Sequence, residues 1–76
     1  MYKIYVESLG KDVSITDFNG FHVSKSRVQS NRIVAGNHKT QGDNIMVCMM
    51  LSHHDAIHES KRLNYILYRE NKKEDE

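Results

Sequence analysis

Residues 52 to 58 read "SHHDAIH", three histidines and an acid within seven positions. Side chains of these types can hold a metal ion or move a proton. His54 and His58 stand four apart, which on a helix turns both rings to one side. Two such histidines beside Asp55 match the spacing of helical zinc sites, although aspartate is short for holding a catalytic water. Zinc also needs a third protein ligand, and spacing marks none of His22, His38 or Cys48 for that role. A simpler purpose fits the same residues. Ser52 stands directly before a helical pattern, and Asp55 three residues on makes an acidic capping box for free backbone N–H groups. We therefore expect a helix start, with no metal and no cofactor.

Other catalytic schemes find little support. No phosphate-cradling glycine loop and no nucleophile elbow occurs. Asp12 and Asp17 are an odd step apart, so on one strand they would point to opposite faces. Cys48, the single cysteine, lies inside the apolar run "IMVCMML" and reads as a small buried hydrophobe. The expectation is a protein that binds rather than catalyses.

What it would bind is suggested by where the charge lies. Eleven Lys and Arg against ten Asp and Glu give a net charge of only +1, yet no acid occurs between Phe18 and Gly42. That segment carries Lys25, Arg27, Arg32 and Lys39, with His22, His38 and many side chains able to hydrogen-bond phosphate or sugar. Alternation along "FHVSKSRV" sets Phe21, Val23, Lys25 and Arg27 on one face, so an apolar face turns basic halfway along. A second basic group lies on the outer face of the C-terminal helix. There His54, His58, Lys61, Tyr65, Arg69 and Lys72 share a sector, with Arg62 at its edge. Cations neutralise phosphate, and a tyrosine offers a surface for a base. The same residues would also suit a solvated helix face and an edge strand guarded by charge.

The elements that must position these residues follow from periodicity. "YKIYVESL" alternates with Tyr2, Ile4 and Val6 on one face, "GKD" makes a turn, and "VSITDF" alternates again. Asn19-Gly20 between Phe18 and Phe21 is a hairpin signal of the type I′ kind. "FHVSKSRV" and "RIVAG" follow as strands, and Gly36 to Asn44 reads as the longest loop. The unbroken apolar run "IMVCMML" implies a central strand covered on both faces. From His53 to about Glu70 the period is helical, with Ala56, Ile57, Ser60, Leu63, Asn64 and Leu67 on one side and His53 at the seam. The expected fold is α+β, an antiparallel sheet of four to five strands covered on one face by a single long C-terminal helix. Residues 1–71 form the domain and 72–76 a charged, flexible tail.

At 76 residues the chain offers one small core and no deep cleft, so function belongs to its surface. A charged residue at position 3, the short apolar runs and the lone thiol lead us to expect a cytoplasmic protein with no membrane association. In style this proline-free chain, rich in Lys, Asn, His and Met, resembles the small accessory proteins of bacteriophages and plasmids, which commonly act on a host factor. The expected function is nucleic-acid binding, RNA before duplex DNA, through Lys25, Arg27, Arg32 and Lys39 and the helix residues Lys61, Arg62, Tyr65 and Arg69. The alternative is a protein-binding inhibitor or homodimer using a sheet edge or the Met- and Tyr-rich surface.

Overall fold

The computed structural model describes residues 2–25, 32–50 and 52–74. Alternation at the start of the chain yields β1 (Lys3–Val6), with Ile4 and Val6 buried and Lys3 and Tyr5 exposed. The chain reverses over residues 7–10, where Gly10 takes φ 64°, a conformation that only a residue without Cβ adopts freely. It returns as β2 (Lys11–Ser14), antiparallel, with Ile4 opposite Val13. The turn thus precedes the expected "GKD", whose Lys11 and Asp12 are strand residues. Val13 and Ile15 are both buried, but Ile15–Asp17 form a 3-10 turn that redirects the chain.

β3 (Phe18–Lys25) contains the Asn19-Gly20 pair expected to make a hairpin. Instead the register shifts between Phe18 and Gly20, a bulge at Asn19, and neither residue has positive φ. Burial explains the outcome. Phe18 and Phe21 are three apart and in a regular strand would face opposite sides. The extra residue turns both rings to the core, 4.9 Å apart, where they are 1% and 6% exposed. Burying two phenylalanines outweighs a local turn preference worth far less.

β4 (Arg32–His38) and β5 (Gly42–Met50) complete a three-stranded antiparallel sheet in the order β3-β4-β5. β4 is therefore central, and the apolar run of β5 lies at an edge, which corrects the expectation for "IMVCMML". Small residues decide the matter: Ala35 and Gly36 let neighbours close over β4. A Cβ at Gly36 would lie 2.5 Å from two atoms of the Phe18 ring. In β5 only Val47 is fully buried, and Met49 remains 39% exposed. The long loop also shrinks to residues 39–41, because β4 runs on to His38. His38 Nδ1 accepts from the backbone N–H of Thr40 (3.1 Å) and of Gln41 (3.0 Å), which ties the turn.

The strands do not make the single sheet of four or five that was expected. β1 and β2 form a separate pair. The tip of that pair meets the outer edge of β5, where the N–H groups of Glu7 and Ser8 donate to the carbonyls of Val47 (2.9 Å) and Met46 (3.2 Å). The redirecting 3-10 turn is what keeps β2 from continuing into β3.

α1 (His53–Glu74) covers the sheet and extends a turn past the expected end near Glu70. Ser52 Oγ accepts from the Asp55 N–H at 3.1 Å, so the serine half of the predicted cap forms. Ala56, Ser60, Leu63 and Leu67 are buried as the period implies, whereas His53 is exposed rather than seated in the seam. Asn64 fixes the helix to the sheet. Its Oδ1 accepts from Phe21 N–H (2.8 Å) and its Nδ2 donates to Phe21 C=O (3.0 Å), so one amide side chain acts as a strand partner for the edge of β3. One cluster joins both sheets and the helix, with Val6, Ile15, Phe18 and Val34 wholly inside it. Among the described residues no helix is long and apolar enough to cross a membrane.

Candidate functional site

The outer face of α1 carries two exposed rings. Tyr65 and Tyr68 are each 60% exposed, although a tyrosine has enough apolar area to gain from burial. Each has a cation one turn further along the helix, the i, i+4 spacing at which side chains meet. The Arg69 guanidinium lies 5.9 Å from the Tyr65 ring centre, and its Nη1 donates to the Tyr65 hydroxyl at 3.3 Å. The Lys72 ammonium lies 5.6 Å from the Tyr68 ring centre. Both are cation–π distances. Tyr65, Tyr68, Arg69, Lys72 and Lys73 together line a shallow depression.

Tyr65 also borders a second, more apolar depression, shared with Met50, His58, Lys61, Arg62 and the carboxylates of Asp55 and Glu59. Met50 is reached from the sheet. Lys25, Arg32 and Met50 sit opposite one another across β3, β4 and β5. Arg32 Nε donates to His53 Nδ1 at 3.3 Å. The strand cations Lys25 and Arg32 and the helix residues Lys61, Arg62, Tyr65 and Arg69 therefore border one surface, joined through Met50 and His53. Lys39 does not join it. It lies past the far end of β4, about 20 Å along the strand from Arg32, with its N–H bonded to the Asp17 carbonyl. Arg27 lies outside the described residues.

Not every cation here is available to a ligand. Arg62 pairs with Glu59, and this bond, reinforced by Tyr2, raises the guanidinium pKa above its ordinary value. Lys73 pairs with Glu70 at 3.1 Å, and the Lys73 bond chiefly holds the Glu70 carboxyl below the usual carboxylate range. Among the described residues no carboxylate pairs with Lys61, Arg69 or Lys72. Among the described residues of this surface, these three, with Lys25 and Arg32, are the cations without a carboxylate partner.

His54 and His58 pair with each other at the start of α1. The His54 and His58 rings are 4.6 Å apart, edge to face. Among the described residues no three His, Cys, Asp or Glu side chains gather where an ion could sit. His22 Nε2 bonds Asn44 Oδ1 (2.9 Å), and His38 ties its turn. Burial, with Glu59 and Glu7 adding to it, pushes the Cys48 thiol up to about 11, the behaviour of a packed side chain and not of a nucleophile.

Sequence reasoning counted Met50 and Tyr68 only in the Met- and Tyr-rich surface of the protein-binding alternative and left both out of the nucleic-acid set. Tyr68 had a usable signal, since Tyr68–Lys72 repeats the spacing of Tyr65–Arg69. Met50 had none, because its place depends on strand register. No protein-family model, no curated protein and no solved structure matches this chain.

Proposed function

We propose that this chain is a small non-enzymatic nucleic-acid-binding module, RNA preferred over duplex DNA, using the outer face of α1 and the adjoining end of the sheet. One observation supports this above the rest: Tyr65 and Tyr68 stay exposed, each beside a cation, on a surface whose Lys61, Arg69 and Lys72 pair with no carboxylate among the described residues. A solvated helix face built only for solubility needs charge but no exposed aromatic pairs. Lys25 and Arg32 extend the positive charge towards β3 and β4, and Lys39, past the far end of β4, is not part of this surface. A triple variant, Lys61→Ala/Arg69→Ala/Lys72→Ala, should weaken RNA binding strongly in a fluorescence anisotropy titration, while Lys39→Ala leaves it unchanged. Equal binding by the triple variant and the parent chain would sink the proposal.

A second reading is a protein-binding inhibitor or homodimer, one that engages a host factor as phage-type accessory proteins do. Exposed Tyr2 and Tyr5 on and beside β1 favour it, at 40% and 58% exposure. The sheet edges favour it less, since Asn64 clamps β3 and residues 7 and 8 bond to β5.

A further inference from the structure

Resting on the nucleic-acid reading, we infer that α1 binds a single strand by stacking unpaired bases on Tyr65 and Tyr68, with Arg69 and Lys72 taking the neighbouring phosphates. The two tyrosines are three residues apart on one helix, which sets their Cβ atoms about 5–6 Å from each other. Successive bases in a stacked strand lie about 3.4 Å apart. One base per ring therefore requires the strand to be unstacked and its base faces open, as in a single strand and not within a duplex. Both rings border the same depression with Arg69 and Lys72, so base and phosphate contacts fall side by side. In the unbound chain each cation rests by its ring, 5.9 Å and 5.6 Å from the centres. Long, flexible Arg and Lys side chains can turn from ring to phosphate without moving the helix. Every base has a π-face, so the surface tolerates any sequence, and Lys61 beside Tyr65 adds a further cation to the track.

The chain has no tryptophan and four tyrosines, so its intrinsic fluorescence reports on tyrosine alone. Unstructured RNA and DNA strands should quench it, and a duplex of equal length should not. Tyr65→Ala and Tyr68→Ala should each weaken single-strand binding about tenfold, with the salt dependence unchanged because no phosphate contact is lost. Tyr65→Phe and Tyr68→Phe keep a stacking face and should retain binding while losing part of the quenching. Both rings are exposed, so these variants should fold, as circular dichroism would show. Tighter binding of RNA than of DNA would assign contacts to the 2′-hydroxyl, and equal binding would assign the surface to any single strand. If the alanine variants bind like the parent, stacking is refuted while the nucleic-acid reading stands. If a duplex binds as tightly as a single strand, stacking and the preference for RNA over duplex DNA both fall and only nucleic-acid binding itself stands. If nothing binds even at low salt, nucleic-acid binding falls too.

Discussion

Replacing Asn64 by alanine tests how the helix is fixed to the sheet. The side chain makes two bonds, of 2.8 and 3.0 Å, to the N–H and C=O of Phe21. Phe21 is only 6% exposed, so Asn64→Ala strands two backbone groups with limited access to water. Each bond is worth about 1 kcal/mol net, and an orphaned buried group costs more. Asn64 itself lies at the surface, and water entering the vacated space lowers that further cost. The expected loss is about 2 kcal/mol, or about 8–16 °C in melting temperature for a chain of this size. Asn64→Asp separates the two bonds. It keeps an acceptor for Phe21 N–H but sets a second oxygen against the Phe21 carbonyl. That repulsion raises the new carboxyl's pKa in the folded chain, so its penalty should grow as pH rises and shrink in acid, where the protonated group can donate. Thermal melts by circular dichroism at acid and neutral pH measure both effects, with exposed Asn71→Ala as the control. Melting of Asn64→Ala within about 1 °C of the parent would refute the clamp.

Gly36→Ala places a Cβ 2.5 Å from two atoms of the buried Phe18 ring and 3.2 Å from one of Phe21. It should cost about 1–3 kcal/mol in denaturant unfolding. His38→Ala removes the acceptor for the Thr40 and Gln41 N–H groups and the edge contact with Phe18. Hydrogen exchange at those two amides should quicken with no change in nucleic-acid binding, because the turn is remote from α1's outer face. For Cys48, a thiol pushed up to about 11 carries roughly a hundredfold less thiolate near pH 8 than an ordinary one. Its reaction with a thiol reagent should be slow in the folded chain and quicken on unfolding. Because the folded state holds that proton more tightly, its contribution to stability is complete below the ordinary thiol range and declines as pH rises towards 11.

Features that depend on near neighbours were legible in the sequence. Ser52 caps the helix, Ala56, Leu63 and Leu67 fall on its buried face, and β1 alternates as read. Each follows from spacing within one element. What failed depends on contacts between elements. Asn19-Gly20 carries a strong turn signal, but the common burial of Phe18 and Phe21 converts it to a bulge. "IMVCMML" looks central because it is apolar throughout, yet the centre went to the strand whose Ala35 and Gly36 leave room for neighbours. Asn64 falls on the buried side by period, but its partner is backbone and leaves no trace in residue types. At the candidate site, Tyr65 and Arg69 were legible as a helical pair. The separation of Lys39 from Arg32 required the full length of β4, and the junction at Met50 required strand register.

If unpaired charge on one surface drives binding, the affinity for single-stranded RNA must depend on salt. Lys61, Arg69 and Lys72 are the helix cations without carboxylate partners among the described residues. About three phosphate contacts on a single strand give a slope of log affinity against log salt near −2. These helix contacts alone should lower affinity about 16-fold for a fourfold rise in salt, and the Lys61→Ala/Arg69→Ala/Lys72→Ala variant should lose that share of the slope, keeping only what Lys25 and Arg32 contribute. A flat salt response in the parent chain, or an unchanged slope in the variant, would contradict the account.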